Sequence, residues 1–421
     1  MLGRSTAILT HGTSLATRDL LHPTLAALVS VIVNYGGTFI LVFEAARAAG
    51  LTPAQTASWV WSVSIGVGLT GAFLSYLYRA PIITAWSTPG AAFLVVALPS
   101  VPYPEAIGAF VLSGVAFLAL GLSGTFDRAV GMIPRPIAAG LLAGVLAKFG
   151  VSAFASAAVD PLLVCILVFA YAALRRFTAR YAIVGVLCIG LALVIARQQA
   201  EFGTLGLTLA APNWTAPAFS WNALLSVALP LFVVTLTGQY MPGMLVLRRD
   251  GYLTSANPIV TVTGLGSALM APFGSHAFNV AAITAAICTG PEAHEDARKR
   301  YIAGVACGVL YTLIGLFGAT LATLFVLLPP QLIATLAGLA LLGAIGGNLV
   351  DALSGERDRE AALITFLATT ANLSLFGIGG AFWGLVAGLA VHAILRWRPL
   401  QAIPPIFQSR PARSVQQTSD S

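Results

Sequence analysis

From about Thr24 to Leu395 the chain is a succession of apolar runs, and its charges fall almost entirely in the gaps between them. Only 9% of the residues are charged and 58% are hydrophobic, which is too little polar surface for a water-soluble fold to cover itself. The runs approach the roughly 17–25 residues of a bilayer-spanning helix, and the ~10-residue alternation of an outer-membrane barrel is absent. The expected fold is therefore an all-α polytopic membrane protein. Fourteen spans are read, near residues 24–43, 56–77, 82–98, 105–123, 136–154, 159–174, 181–197, 222–246, 257–271, 273–289, 301–327, 331–350, 361–376 and 379–395. With residues 1–20 in the cytoplasm, 19 of the 22 Lys and Arg residues lie on the inner side; Arg47 and Arg197 face outward, and Lys148 lies within a span. Such bias sets orientation. The net charge of +7 then belongs to loops facing an anionic leaflet, and no nucleic-acid partner is expected. Residues 1–20 lack the apolar core of a signal peptide, and both termini are expected in the cytoplasm, with 397–421 a disordered tail.

Two of the spans are broken, at matching places in the two halves. One runs Ala80-Pro81-Ile82-Ile83-Thr84-Ala85-Trp86-Ser87-Thr88-Pro89-Gly90 and the other Ala271-Pro272-Phe273-Gly274-Ser275-His276-Ala277-Phe278-Asn279-Val280-Ala281. Each is expected to stay extended after its Ala-Pro and then to start a half-helix capped by Thr88 or Asn279, with Pro89 at the first helical position. Paired interrupted segments mark the binding site of a secondary transporter, because half-helix N-termini aim backbone N–H groups at an anion inside the bilayer. An internal repeat agrees: Gly114-Val115 recurs 194 residues later as Gly308-Val309, and Pro81 recurs at 191 as Pro272. Seven spans per repeat is an odd number, so the second copy must be inverted. The repeats are placed at 21–197 and 222–396, joined by an outer linker at 198–221.

The strings Tyr78-Arg79-Ala80-Pro81, Thr84-Ala85-Trp86-Ser87-Thr88-Pro89-Gly90-Ala91-Ala92 and Ile283-Thr284-Ala285-Ala286-Ile287-Cys288-Thr289-Gly290-Pro291-Glu292 resemble those of BenE-type benzoate/proton symporters, as do Phe43-Glu44-Ala45-Ala46-Arg47 and Phe382-Trp383-Gly384-Leu385. The resemblance covers nearly the whole chain. It implies proton-coupled uptake of benzoate or a related aromatic carboxylate across a bacterial inner membrane. It also implies the seven-plus-seven fold of uracil/xanthine permeases and sulfate-type anion transporters. There, a core domain (about 24–123 plus 222–327) moves against a gate domain (about 136–197 plus 331–395), with homodimerisation through the gate domains. Nucleobase permeases of that fold carry glutamates on spans 8 and 10, whereas this chain offers Gln239-Tyr240-Met241-Pro242 and Ser275-His276-Ala277-Phe278-Asn279. A carboxylate would repel an anionic substrate, so the departure suits benzoate. A nucleobase or inorganic-anion permease or channel of the same fold is the alternative.

Substrate-binding candidates are Thr88, Gly90, Tyr35, Gln239, Tyr240, Phe278 and Asn279. Thr88 and Asn279 either cap their helices, bind, or do both; Tyr35 and Phe278 either wall the pocket or pack; Gln239 either binds or bridges helices. His276 is the proton-coupling candidate, with a neutral imidazole holding non-helical backbone as the other reading. Lys148 reads as a gate or snorkelling residue. Cys165, Cys188, Cys288 and Cys307 read as packing residues, and the cluster Glu292, His294, Glu295 and Asp296 as caps and local ion pairs rather than a metal set. No nucleophile–base pair, metal set or phosphate-binding loop is found within the spans, so no enzyme, nucleotide-driven pump or cofactor is expected.

Overall fold

The computed structural model describes residues 17–132, 134–178, 181–199, 206–282, 284–371, 375–376, 378 and 380–396. The expected tail, 397–421, lies outside the described residues, as does most of the N-terminal segment. The first half comprises α1 (Thr17–Thr38), α2 (Ile40–Ala48), α3 (Pro53–Tyr78), β1 (Thr84–Trp86), α4 (Thr88–Ala97), α5 (Tyr103–Ser123), α6 (Phe126–Met132), α7 (Arg135–Ala155), α8 (Pro161–Thr178) and α9 (Ala182–Ala196). The second comprises α10 (Trp221–Ala223), α11 (Leu229–Thr235), α12 (Met241–Arg249), α13 (Ala256–Met270), β2 (Phe278–Val280), α14 (Ala285–Thr289), α15 (Tyr301–Leu316), α16 (Gly318–Leu327), α17 (Pro330–Leu353), α18 (Arg359–Ala371) and α19 (Gly380–Arg396). The chain is mostly helical, and eight of its described helical stretches are long and apolar enough to cross a membrane. Two of the expected spans are irregular within their length. The run read as one span at 301–327 splits at Phe317, and 222–246 carries two π-helical turns, Leu224–Ala228 and Leu236–Tyr240.

Sequence chemistry sets the limits of α3. Thr52 caps it through a reciprocal box with Gln55, Pro53 occupies the first turn, and the helix ends at Arg79 in the left-handed region. Pro81 then forbids resumption, and the chain turns into β1. Between helices the packing relies on small residues, since lipid supplies little drive for helix association. Gly68 of α3 and Gly308 of α15 face each other so closely that a Cβ on either would meet the other's carbonyl oxygen at 2.6 or 2.4 Å. Gly114 of α5 meets Ala268 of α13 in the same manner. The dominant packings are α3 on α15, α5 on α13, and α7 on α17 and α18.

The described part of the linker, 206–220, forms no helix and crosses the ends of α3, α5 and α16. Its backbone is satisfied by Leu316 O, Pro272 O, Pro104 O, Thr320 Oγ1 and Ser58 Oγ. Two of the four cysteines depart from the packing expectation: Cys165 and Cys188 are exposed on α8 and α9, where lipid accommodates a thiol as readily as a core does. Asp296 caps the turn at Arg298, and His294 and Lys299 pair with Asp19 at 3.2 and 2.7 Å, so these groups serve local structure.

Candidate substrate site

The two broken segments meet. β1 and β2 pair antiparallel with Thr84 opposite Val280, Ala85 opposite Asn279 and Trp86 opposite Phe278. The ladder extends at each end, with Ser87 N donating to Ala277 O at 2.9 Å and Ala281 N to Ile83 O at 2.8 Å. Non-helical backbone is tolerated at membrane depth only when its polar groups are satisfied internally, and pairing one interruption with the other achieves this. Hydroxyls from the flanking helices complete the account. Ser75 Oγ serves both the N–H and the carbonyl of Ile82, Thr84 Oγ1 donates to Val67 O at 2.7 Å, and Ser267 Oγ accepts from Phe278 N at 3.1 Å.

The cap of α4 is Ser87, one residue before the expected Thr88. Ser87 is extended, its Oγ accepts from Gly90 N at 3.1 Å, and it lies 2.8 Å from Thr235 Oγ1 on α11. Thr88 is half-buried in the first turn, beside Pro89. The Gly90 N–H is thus already taken, and a Cβ there would press on Leu231 at 2.8 Å. Ser87→Ala is expected to lower stability by about 1–2 kcal/mol, because it removes the cap and leaves the Thr235 hydroxyl without its partner; a thermal melting series checks it.

Asn279 does not cap a helix. It is the central residue of β2, and α14 begins only at Ala285 after Thr284, because strand pairing claims the residues that the N-cap reading assigned to a helix start. With five residues, α14 is shorter than the half-helix expected at span 10. Asn279 is fully buried, and neither its Oδ1 nor its Nδ2 has a hydrogen-bond partner among the described residues. Leaving a buried polar group unpaired costs about 1–3 kcal/mol, so an amide idle at both ends calls for an explanation.

The other candidates divide. Tyr35, half-buried on α1, donates to Ser64 Oγ at 2.6 Å, and its ring joins Phe39, Trp86 and Tyr311 with centroids 4.7, 5.1 and 5.7 Å away. This aromatic group includes the last residue of β1. Gln239 lies in the π-helical turn that packs on β2 and α4; it is 9% exposed and makes no side-chain hydrogen bond among the described residues. Single π turns are frequent at functional sites. Tyr240 is fully buried, its hydroxyl 2.6 Å from Thr263 Oγ1 on α13 and 3.4 Å from Phe278 O on β2, with its ring against Phe117. Phe278 is locked between α3 and α13, where a Cβ on Gly66 or Gly266 would meet its ring at 2.6 or 2.9 Å. Both side chains are thus held in packed positions between helices. His276 is fully buried and engaged at both nitrogens: Trp59 Nε1 donates to Nδ1 at 3.2 Å, and Nε2 lies 3.3 Å from Ser87 O. Because the indole only donates and the carbonyl only accepts, the ring is the neutral tautomer protonated at Nε2.

Residues missed by the sequence reading are Trp86, Phe39, Tyr311, Ser87 and Trp59. The first and fourth lie inside the broken motif, Trp86 at the end of β1 and Ser87 at the start of α4.

The profile of the benzoate membrane transport protein family, BenE, matches residues 20–394. The chain belongs to this family. It is 40% identical over 375 residues to the benzoate membrane transport protein of Acinetobacter baylyi, covering 89% of this chain and 95% of that one. It is also 40% identical over 371 residues to the inner membrane protein YdcO of Escherichia coli, covering 88% and 95%. This BenE-family chain is therefore a membrane transport protein and not an enzyme. Its fold matches the transmembrane domain of the cyanobacterial bicarbonate transporter BicA (TM-score 0.56, 15% identity, 90% of this chain and 98% of that one). It likewise matches SLC26A9 (TM-score 0.59, 11% identity, 90% and 66%).

Proposed function

We propose that this BenE-family chain takes up benzoate or a closely related aromatic carboxylate together with a proton, by alternating access, with the carboxyl group held at Asn279 beside the N-terminal end of α4. The observation that carries the reading is the buried, doubly unpartnered Asn279 amide. Its Nδ2–H donates to one carboxyl oxygen, with Thr88 and the positive end of α4 adding attraction. Its Oδ1 accepts a proton shared with the other oxygen, so the coupled proton can travel on the substrate. Tyr35, with Trp86, Phe39 and Tyr311, offers the aromatic ring edge-to-face and stacked partners, and Gln239 supplies a further polar contact. His276 is the other carrier. Protonating it would turn Nδ1 into a donor and break the Trp59 bond, which ties proton binding to the contact between α3 and the second broken segment.

The proposed frame is fourteen spans in two inverted repeats. Contacts related by the repeat support it: Gly308 meets Ala72 on α3, and Gly114, its repeat counterpart, meets Ala268 on α13. Residues 24–123 plus 222–327 form the core, and 136–197 plus 331–395 the gate, through which two copies pair. The bacterial inner membrane, with both termini cytoplasmic, fits the relatives and the distribution of basic residues.

Binding tests the reading. Benzoate is expected to raise the melting temperature of the purified protein in a saturable way, and uracil and bicarbonate are expected to leave it unchanged. Stabilisation by bicarbonate or uracil alone would favour the inorganic-anion or nucleobase reading that the shared fold allows.

A further inference from the structure

A cavity of about 210 Å³ opens where the far end of α4 meets α7, α18 and α19, lined by Phe93, Ala97, Val145, Lys148, Thr369 and Ala381 among others. A cavity of ~150 Å³ is enough for a benzene ring. Lys148, the one cation within the predicted spans, is half-buried and has no acidic partner among the described residues. Thr369 is 3% exposed, and its hydroxyl has no hydrogen-bond partner among the described residues. The pocket thus combines apolar walls and one unpaired cation, which is the complement of an aromatic ring bearing a carboxylate, while the Thr369 hydroxyl is turned against Gly384 of α19. Phe93 and Ala97 stand five and nine residues beyond Thr88 on the same helix, roughly 7–14 Å along it.

We infer that this cavity is a second, staging site for the ionised aromatic carboxylate, with Lys148 as its charge partner. On the proposed orientation, with the N-terminus in the cytoplasm, the end of α4 that lines this cavity is its outer end. The inference rests on the proposed benzoate transport. The two sites differ in kind: the staging site pairs an anion with a cation, whereas Asn279 offers a neutral donor and acceptor. Because Lys148 and Thr369 stand on α7 and α18 and Phe93 on α4, relative movement of α4 and these helices would take the pocket apart and release its occupant inward.

Uptake of external benzoate into proteoliposomes at a fixed proton gradient tests it. Lys148→Gln is expected to raise KM about five-fold, the scale of one partly exposed charge pair, with kcat within two-fold. Lys148→Arg should restore KM to within two-fold of wild type. Benzamide, the neutral analogue, should inhibit wild type and Lys148→Gln equally. A lysine serving only to support the end of α4 would move both ligands alike, and that result, or an unshifted KM, overturns the staging site. Wild-type protein that takes up no benzoate would instead overturn the reading on which it rests.

Discussion

Replacing Asn279 with Leu is expected to lower kcat/KM for benzoate uptake by about 100-fold or more and, in the same protein, to raise the melting temperature. The two effects have one cause. Asn279 is fully buried with both polar atoms idle, so the empty site carries a desolvation cost of about 1–3 kcal/mol per group that a similarly sized apolar side chain does not have. In the proposed complex the same groups hold the substrate's carboxyl through two hydrogen bonds of about 0.5–1.5 kcal/mol each, and leucine would also leave that carboxyl buried and unpaired at about 1–3 kcal/mol, which covers a 100-fold change. A merely structural Asn279 predicts the opposite pairing, with stability and uptake falling together. Uptake kinetics and a melting curve on the one variant separate the two.

His276→Leu is expected to abolish uptake and destabilise the protein, while His276→Gln keeps proton-driven uptake at a reduced rate. Leucine leaves the Trp59 indole N–H unpaired in the core, about 1–3 kcal/mol, and removes the Ser87 carbonyl's second donor, its bond from Ala91 N remaining. Ser87 also caps α4, so the disturbance reaches the first turn of that helix. Glutamine presents an acceptor and a donor and can remake both bonds, yet it cannot carry a proton near neutral pH. Benzoate accumulation by His276→Gln that still responds to the proton gradient assigns the proton to the substrate. Uptake that persists but ignores the gradient assigns it to the imidazole.

The family and the helical membrane class were legible because the signals are long: apolar runs between charged gaps, and strings that extend over most of the chain. The places where helices break were legible too, since Pro81 and Pro272 follow directly on apolar helical runs. What each residue does at the break was not. Ser87 and Thr88 are adjacent cap-forming residues, and only the backbone of Ser87 and its bond to Gly90 show which one caps. Asn279 was read as a cap from its type and its position before an apolar run, but long-range pairing with Ala85 makes it a strand residue. Such pairing crosses nearly half the chain and leaves no local trace. Likewise, nothing in Phe278 or Tyr240 tells a pocket wall from a strut. That choice depends on Gly66, Gly266 and Thr263 on other helices. Lys148 was visible as an unusual charge, while its neighbours Thr369 and Phe93 come from three different helices in all and could be joined only by the fold.

The most direct measurement is uptake of radiolabelled benzoate into proteoliposomes of purified protein, with and without an inward proton gradient, against protein-free vesicles, because protonated benzoic acid crosses lipid unaided. Proton-coupled transport at Asn279 predicts accumulation above the protein-free control, increased by the gradient, lost when the gradient is collapsed, and absent in Asn279→Leu. Benzoate uptake no greater than in protein-free vesicles, with uracil or bicarbonate accumulating instead, would contradict it.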